Sequence, residues 1–345
     1  MNYKKNWKSH FLAYHFMMFS ILFSSLSYGK TFFNFNELTS RYASWAIKPD
    51  NTKSSIYLKE AWKKFRKRKK EVVVAVVDTG IDPYHPFFRN NIKVIGGQFS
   101  KQNYGIDFSE GSSSKSMPFD SHGHGTHIAG IIRSVYPKVK LLVLKYYNPN
   151  ASGQSNLDST IKALKYAVEK NADIINYSGG GPEPSKEERI ILKKAEKKGI
   201  LVVAASGNEQ SNIDRKENAF FPASYNLTNI ITVTANDRQL NILPSSNYGK
   251  NSVHLSAPGH RIKAALPRLR VGYKTGTSQA TAFVSGVAAL LLSQSPNLKA
   301  KDLKRIITKS TKEESSLLSR CLTGGRLNAH QAQLIIQSLD LRKLP

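Results

Sequence analysis

The chain has 345 residues, of which 40% are hydrophobic and 22% charged, a composition that excludes a disordered chain and is sufficient for a large core. Lysine and arginine outnumber aspartate and glutamate by 51 to 24, so the formal net charge of +27 favours anionic over cationic partners. The single cysteine, Cys321, excludes an intramolecular disulfide as a source of stability.

Residues 1–29 have the layout of a secretory signal peptide. Three lysines precede an apolar run over residues 11–26, and small residues then offer cleavage after Ser27 or Gly29. Polar residues interrupt the run, so a permanent membrane anchor is the weaker interpretation. We therefore expect a secreted or periplasmic product, a monomer whose net charge is lowered by those three lysines to +24. That charge predicts weak binding to anionic envelope polymers or lipids rather than to nucleic acid.

The rest of the chain is predicted to form a single domain over residues 56–338, with an N-terminal extension at 30–55 and a C-terminal tail at 339–345. Near the start of this domain, an amphipathic helix carries basic residues on its outer face, and lysine and arginine dominate residues 63–70. This tract could bind nucleic acid or the envelope, or be a processing site. We favour a solvated helix face that leads into the next strand.

Short apolar and β-branched runs alternate with helical patterns along the domain. Such runs are typical of central strands that are covered on both faces. The strand candidates are residues 72–77, 140–145, 172–176, 200–205 and 229–234, with helices at 156–169 and 184–198. This alternation predicts an α/β fold with a doubly wound, mainly parallel sheet flanked by helices.

A longer apolar stretch, residues 278–292, predicts a helix that is buried on all sides. Gly276 and Thr277 precede it as turn and capping residues, so Ser278 falls in the first helical turn. Unpaired backbone N–H groups and the positive end of the helix dipole there would stabilise a developing negative charge. Two further helices, around 303–307 and 327–336, are expected to close the domain.

Other residues with chemical potential follow the predicted strands. Asp78 ends the first strand, at the edge where open α/β sheets bind their ligands. Residues 120–130 contain three histidines, His122, His124 and His127, which could share zinc, but no glutamate or cysteine nearby completes a ligand set, and we predict no metal site.

Two further strands end in glycine-containing segments. Ser178, Gly179 and Gly180 form a flat stretch that can accept an extended peptide through main-chain hydrogen bonds. Asn208 follows the next strand and offers an amide donor. Asp78, His124, Asn208 and Ser278 are thus all expected at one edge of one sheet.

This constellation resembles the subtilisin-like serine peptidases. The matching segments are Asp78-Thr79-Gly80-Ile81-Asp82, His124-Gly125-Thr126-His127-Ile128-Ala129-Gly130, Ser178-Gly179-Gly180, Gly207-Asn208-Glu209 and Gly276-Thr277-Ser278. They occur in the order of the family, aspartate, then histidine, then serine. Weaker similarity extends from about residue 45 to about residue 338.

The resemblance implies a serine endopeptidase that uses no cofactor and acts on proteins or peptides. Ser278 would be the nucleophile, His124 the general base and Asp78 the residue that orients the imidazole. The Asn208 amide and the Ser278 backbone N–H would form the oxyanion hole, and residues 178–180 would line the substrate. His122 and His127 would be structural.

For the first specificity pocket, the resemblance implies that Phe220 lies near the base and Glu209 near the rim. The Phe220 ring would shorten the pocket and favour small or medium apolar residues before the cleaved bond, whereas Glu209 could favour a basic one.

The sequence departs from the family in three places. Gln279, Ala282 and Phe283 replace the residues that usually follow the nucleophile, which changes packing but no catalytic atom. The peptidase domain begins so soon after the predicted cleavage site that no folding-assisting prosegment is expected. Phe87 follows His85-Pro86 where many relatives have a calcium ligand, and residues 131–145 are too few for their calcium loop, so no calcium is expected at that site.

Two alternatives belong to other classes. An inactive binding protein on a peptidase scaffold would be expected to lose a catalytic residue, and none is missing. An aspartic peptidase would use Asp78-Thr79-Gly80 as its motif, but it needs a second such carboxylate or a dimer, and the chain contains no second motif of this type.

Overall fold

A computed structural model describes residues 41–96, 103–112 and 117–341, and these residues belong to one compact unit. The predicted signal peptide lies outside the described residues. The predicted α/β fold with a mainly parallel sheet is confirmed. None of the helices in the described residues is both long and apolar enough to cross a membrane.

The elements follow one another in the alternation that the sequence predicts. The strands are β1 (Val73–Asp78), β2 (Gly105–Asp107), β3 (Lys140–Lys145), β4 (Ile174–Tyr177), β5 (Leu201–Ala205), β6 (Ile230–Asn236), β7 (Leu255–Pro258), β8 (Ile262–Leu266), β9 (Arg270–Lys274), β10 (Lys312–Glu313) and β11 (Gly325–Arg326). The α-helices are α1 (Leu58–Lys63), α2 (His124–Val135), α3 (Gly153–Glu169), α4 (Lys186–Lys197), α5 (Thr277–Gln294), α6 (Ala300–Lys309) and α7 (Ala329–Leu341).

Nine strands form one sheet in the order β10-β11-β7-β6-β5-β4-β1-β3-β2, and β8 and β9 form a separate antiparallel hairpin. All pairs in the large sheet are parallel except β10 with β11. In the centre, Val77 of β1 pairs with Tyr177 of β4, and Tyr177 pairs with Ala204 of β5. The chain therefore leaves these three strands at nearly the same level of one sheet edge.

Helix α5 is the centre of the fold, because each of its 18 residues is buried. It packs against β4, β5, β6 and β7 on one side and against α2 on another. This confirms the prediction of a helix buried all round. The helix begins one residue earlier than expected, with Gly276 as the N-cap and Thr277 already helical, so the prediction that Thr277 caps the helix is wrong.

Helices α3 and α4 cover the opposite face of the sheet. Their apolar residues, such as Leu164 and Leu192, meet the side chains of Ala75 and Val77 from β1 in a second core cluster. Since strand side chains alternate between the two faces, both faces of β1 require apolar residues. This double burial explains the continuous β-branched run in the sequence.

Residues 41–55, which we predicted to precede the domain, pack into the main core through Ala46 and Ile47. Arg326 of β11 fixes the end of this segment: its guanidinium donates to the carbonyl oxygens of Lys53 at 2.7 Å and Ser55 at 2.6 Å. Arg326 is 1% exposed and pairs with Glu314 at 2.8 Å.

At both ends of the domain, the structure differs from the prediction in the bounds of a helix. The basic tract is mostly non-helical, because α1 ends at Lys63 and the N–H groups of Lys69 and Lys70 donate to the Ser293 carbonyl. At the other end, α7 continues to Leu341, three residues past the predicted end of the domain at 338.

Candidate active site

Asp78 and His124 meet at the sheet edge. Asp78 is the last residue of β1 and His124 the first of α2, and His124 Nδ1 lies 2.7 Å from Asp78 Oδ1. The Asp78 side chain is 3% exposed, whereas that of His124 is 22% exposed. The same Asp78 oxygen accepts from the Thr79 N–H at 2.8 Å. The carboxylate is thereby fixed with one oxygen toward the imidazole.

The pKa of the His124 imidazole follows from two opposing effects. Burial by itself would lower this pKa, but the charge of Asp78 and its hydrogen bond outweigh burial and raise the pKa above its ordinary value of 6.5. The aspartate therefore stabilises the protonated imidazole. It also holds the neutral ring with the proton on Nδ1, which leaves Nε2 as the basic atom.

A second carboxylate, that of Asp120, links β1 to the start of α2. One of its oxygens accepts from the Thr79 hydroxyl at 2.8 Å and from the Gly123 N–H at 2.6 Å. The other accepts from the Thr126 N–H at 2.8 Å and from the Thr126 hydroxyl at 2.6 Å. Asp120 is fully buried. No role could be assigned to Asp120 from the sequence, because its partners Thr79 and Thr126 meet it only in the folded chain.

The strand and the helix approach so closely that only glycine fits between them. A Cβ atom on Gly125 would lie 2.1 Å from the Gly80 carbonyl oxygen, and the Gly125 N–H donates to the Thr79 hydroxyl at 2.8 Å. The glycine and threonine of these two motifs therefore set the distance between Asp78 and His124.

The other two histidines differ in environment. His127 is fully buried, and its Nε2 lies 2.9 Å from the Ile262 carbonyl oxygen. Burial lowers the pKa of His127 to about 3, so the ring is neutral. His122 is exposed, and its ring lies edge-on to that of His124 with 6.2 Å between the centroids. Among the described residues, no three histidine, cysteine, aspartate or glutamate side chains are arranged to hold a metal ion.

Ser278 lies in the first turn of α5, beside the segment that follows β4. Its hydroxyl donates to the Ser178 carbonyl oxygen at 2.9 Å. The Ser178 hydroxyl in turn donates to the Ser278 carbonyl oxygen at 3.2 Å. Both serines are 8% exposed. To be activated by His124, the Ser278 hydroxyl must rotate away from Ser178.

Asn208 lies beside the start of α5. Its side-chain oxygen accepts from the Thr277 N–H at 3.0 Å and from the Thr277 hydroxyl at 3.3 Å. This orientation directs the amide NH₂ group away from Thr277. Thr277 therefore fixes the amide, a role that the sequence pattern, which predicts a helix cap at this position, does not indicate.

The glycines after Ser178 face aromatic side chains. A Cβ atom on Gly179 would lie 2.4 Å from the Tyr146 hydroxyl, and one on Gly180 would lie 2.5 Å from the Phe220 ring. Gly181 exchanges two backbone hydrogen bonds with Phe221, of 3.0 and 2.7 Å. The segment is therefore held as a short antiparallel pair with the residue after Phe220.

Phe220 and Glu209 both lie near Gly207. A Cβ atom on Gly207 would lie 3.1 Å from the Phe220 ring and 2.4 Å from a Glu209 carboxylate oxygen. Since the other edge of the ring contacts Gly180, Phe220 occupies the space between the segments that follow β4 and β5. Glu209 is exposed, and its carboxylate accepts from the Asn247 amide at 2.5 Å.

The chain is similar to known proteins over most of its length. The model of the Subtilase family matches residues 69–328. The Major intracellular serine protease of Bacillus subtilis (strain 168) is 37% identical over 245 residues, which cover 68% of this chain and 72% of that protein. Subtilisin DY of Bacillus licheniformis is 32% identical over 242 residues, covering 68% and 81% of the two chains. A crystal structure of a lanthipeptide protease has the same fold, with a TM-score of 0.63 and 23% identity over 77% of this chain and 87% of that one.

Proposed function

Since this chain belongs to the subtilase family of serine peptidases, we propose that it is a secreted endopeptidase in which Ser278, His124 and Asp78 form the catalytic triad. Family membership excludes the aspartic peptidase considered from the sequence. The observation that carries the triad is the 2.7 Å contact between His124 Nδ1 and Asp78, together with Ser278 at the same sheet edge.

The positions of the strands support this grouping. Asp78 ends β1, and Ser178 follows β4 directly after Tyr177, the pairing partner of Val77. Ser278 contacts Ser178 through its hydroxyl, and Asn208 contacts the residue before Ser278. The proposed nucleophile therefore bonds directly to the proposed substrate-binding segment, and the proposed oxyanion donor bonds to the residue that precedes the nucleophile.

In the proposed mechanism, His124 Nε2 removes the hydroxyl proton of Ser278 as the oxygen attacks the peptide carbonyl carbon. Asp78 stabilises the imidazolium that forms. The Asn208 NH₂ group and the Ser278 N–H donate to the negative oxygen of the tetrahedral intermediate. His124 then donates its proton to the leaving amine. In the second half of the reaction, His124 removes a proton from the water that attacks the acyl-enzyme and returns it to the Ser278 oxygen as the acyl group leaves.

For substrates, we propose a preference for small or medium apolar residues before the cleaved bond. This preference is supported by the Phe220 ring, which lies against Gly180 and Gly207 and fills part of the space between the segments that follow β4 and β5. The Glu209 carboxylate is engaged by Asn247, which weakens its attraction for a basic side chain at the rim. Cleavage profiles on a peptide library test this preference, and dominance of Phe, Tyr or Trp at that position would contradict it.

The proposed extracytoplasmic location depends on the N-terminal sequence alone. Two of the relatives are named intracellular serine proteases, from Bacillus subtilis (strain 168) and Paenibacillus polymyxa. The proposal is supported by the three lysines, apolar run and small residues of residues 1–29. Fractionation of expressing cells, with sequencing of the mature N-terminus, tests it, and an uncleaved product in the cytoplasm would refute it.

A serine-directed phosphonate probe tests the proposed chemistry. We expect the probe to label Ser278 in the folded protein, and Ser278→Ala to abolish both labelling and peptide hydrolysis. Ser293→Ala is the matched control, since Ser293 is buried near the other end of the same helix and donates to the Leu290 carbonyl oxygen at 2.8 Å. Substantial hydrolysis by purified Ser278→Ala would overturn the assignment, and a folded wild-type protein that is not labelled would favour an inactive binding protein.

A further inference from the structure

The segment after β5, residues 206–211, carries the proposed oxyanion donor in a conformation that local interactions do not favour. Asn208 is exposed, and so is Gln210. The φ angles of Gly207 and Gln210 are positive, at 101° and 57°, and the second value is unfavourable for a residue with a side chain. Contacts with another part of the chain must therefore hold the backbone around Asn208.

Asn247, in the loop between β6 and β7, makes such contacts with its whole side chain. It is 1% exposed, and its side-chain oxygen accepts from the N–H groups of Glu209 at 3.0 Å and Ser211 at 2.9 Å. Its NH₂ group donates to the Ser206 carbonyl oxygen at 2.9 Å and to the Glu209 carboxylate at 2.5 Å. A side-chain amide has two donor hydrogens and two acceptor positions. All four are therefore engaged by this one segment.

The backbone of Asn247 adds two bonds to the same segment. Its N–H donates to the Gly207 carbonyl oxygen at 3.0 Å, and its carbonyl oxygen accepts from the Ser206 hydroxyl at 2.9 Å. The approach is so close that a Cβ atom on Gly207 would lie 2.3 Å from the Asn247 amide nitrogen. Asn247 thus bonds to both residues adjacent to Asn208, Gly207 before it and Glu209 after it.

The loop that carries Asn247 is itself attached to the sheet and to a second loop. The Asn247 carbonyl oxygen also accepts from the hydroxyl of Thr234, a buried residue of β6, at 2.7 Å. The N–H of the next residue, Tyr248, donates to the Ser211 carbonyl oxygen at 2.9 Å, and the Arg320 guanidinium lies 4.4 Å from the Tyr248 ring centre. The segment around Asn208 is therefore fixed to the central sheet through Asn247.

We propose that Asn247 is a positioning residue that holds the Asn208 amide at the place where the negative oxygen of the tetrahedral intermediate forms. The inference rests on the proposed endopeptidase function. Asn247 does not donate to the intermediate itself, because Ser206 and Glu209 already engage its NH₂ group. It fixes the backbone of Asn208, while Thr277 orients the side chain. Misplacement of a catalytic group by about 1 Å is enough to lower a rate about 10²-fold.

A double-mutant cycle in kcat tests whether Asn247 acts through Asn208. With a neutral peptide amide as substrate, we expect Asn247→Ala to lower kcat by about 10- to 100-fold and to leave KM within about threefold. In the Asn208→Ala background, the donor to be positioned is absent, so the same change should lower kcat by less than about threefold. A merely structural role would lower kcat equally in both backgrounds.

Asn247→Asp provides a second variant in case Asn247→Ala does not fold. It keeps the size of the side chain and an oxygen for the two N–H donors. Its second oxygen would face the Ser206 carbonyl and the Glu209 carboxylate, which accept from Asn247 in the wild type. We expect a loss of kcat in the same range, and again less than about threefold in the Asn208→Ala background.

Asn229→Ala is the matched control. Asn229 is also 1% exposed, and its amide donates to the Ile200 carbonyl oxygen at 3.0 Å, but it precedes β6, at the sheet edge opposite the site. It should lower the melting temperature and leave kcat within about twofold. Equal losses in both backgrounds, an effect on KM alone, or a kcat within twofold of wild type would overturn the positioning role. Wild-type protein that neither hydrolyses peptides nor labels at Ser278 would overturn the proposed function as well.

Discussion

Asp120→Asn tests whether the active-site geometry depends on a carboxylate that contacts no substrate. In the most favourable orientation of the new amide, its NH₂ group replaces the oxygen that faces Thr126. The Thr126 N–H, now 2.8 Å from that oxygen, would face another donor and lose its partner. The remaining oxygen would keep its bonds from Thr79 and Gly123 but without the carboxylate charge.

The magnitude follows from these contacts. One buried, unsatisfied N–H costs about 1–3 kcal/mol, and loss of the charge weakens each remaining bond by about 0.5–1 kcal/mol. We therefore expect Asp120→Asn to lower the free energy of unfolding by about 3 kcal/mol. Because the same bonds position the first turn of α2, displacement of His124 should also lower turnover by about 10- to 100-fold.

Urea unfolding of variants built on Ser278→Ala measures the stability without self-digestion, and peptide hydrolysis by the single variants measures turnover. Asp158→Asn is the control, since Asp158 is exposed and accepts from the side chain of Gln154, four residues away on the same helix, at 2.8 Å. A stability change below about 0.5 kcal/mol for Asp120→Asn, the range of ordinary surface substitutions, would refute the reasoning.

Three further predictions concern catalysis and ions. Asn208→Ala should lower kcat by about 10²–10³ with KM nearly unchanged, the effect of an oxyanion donor in a subtilisin, and a mainly raised KM would contradict its role. If the neutral imidazole of His124 is the base, as proposed, its raised pKa predicts that kcat/KM increases with pH through a midpoint above 6.5. A midpoint below that value would contradict the assignment. The guanidinium of Arg133 lies 3.9 Å from the ring centre of Phe87, the residue at the position where the resemblance implies a calcium ligand. Chelator and millimolar calcium should therefore leave the melting temperature, measured by thermal unfolding, within about 4 °C.

The central strands and α5 could be predicted because they are buried on both faces, and such burial requires continuous apolar runs in the sequence. The β8–β9 hairpin was missed for the opposite reason: all of β9 is partly or fully exposed, and this strand, from Arg270 to Lys274, has no apolar run. The residues of the proposed triad could be named from motifs. The residue that positions them could not be predicted, because the sequence places Asp120 in a loop and only the fold brings Thr79 and Thr126 into contact with it.

The burial of Glu188 is a second feature that the sequence pattern does not predict. In the sequence it belongs to a charged helical stretch, Lys186-Glu187-Glu188-Arg189, which is typical of a solvated face. In the structure Glu187 and Arg189 are exposed, whereas Glu188 is buried and its carboxyl hydrogen-bonds to the hydroxyls of Tyr225 and Tyr177. Only the rotation of α4 about its axis, which tertiary packing determines, distinguishes the three.

The bonds of Arg326 to the segment before α1 limit how far the mature chain can be shortened. Removal of residues through Ser55 would take away the carbonyl oxygens of Lys53 and Ser55 and leave buried donors of this guanidinium unpaired, at about 1–3 kcal/mol for each. Any trimming after the proposed signal peptide is therefore expected to stop before Lys53. Sequencing of the mature N-terminus would contradict this if an active, folded product began after Ser55. A strand at the far end of the chain thus defines where processing of the N-terminus must end.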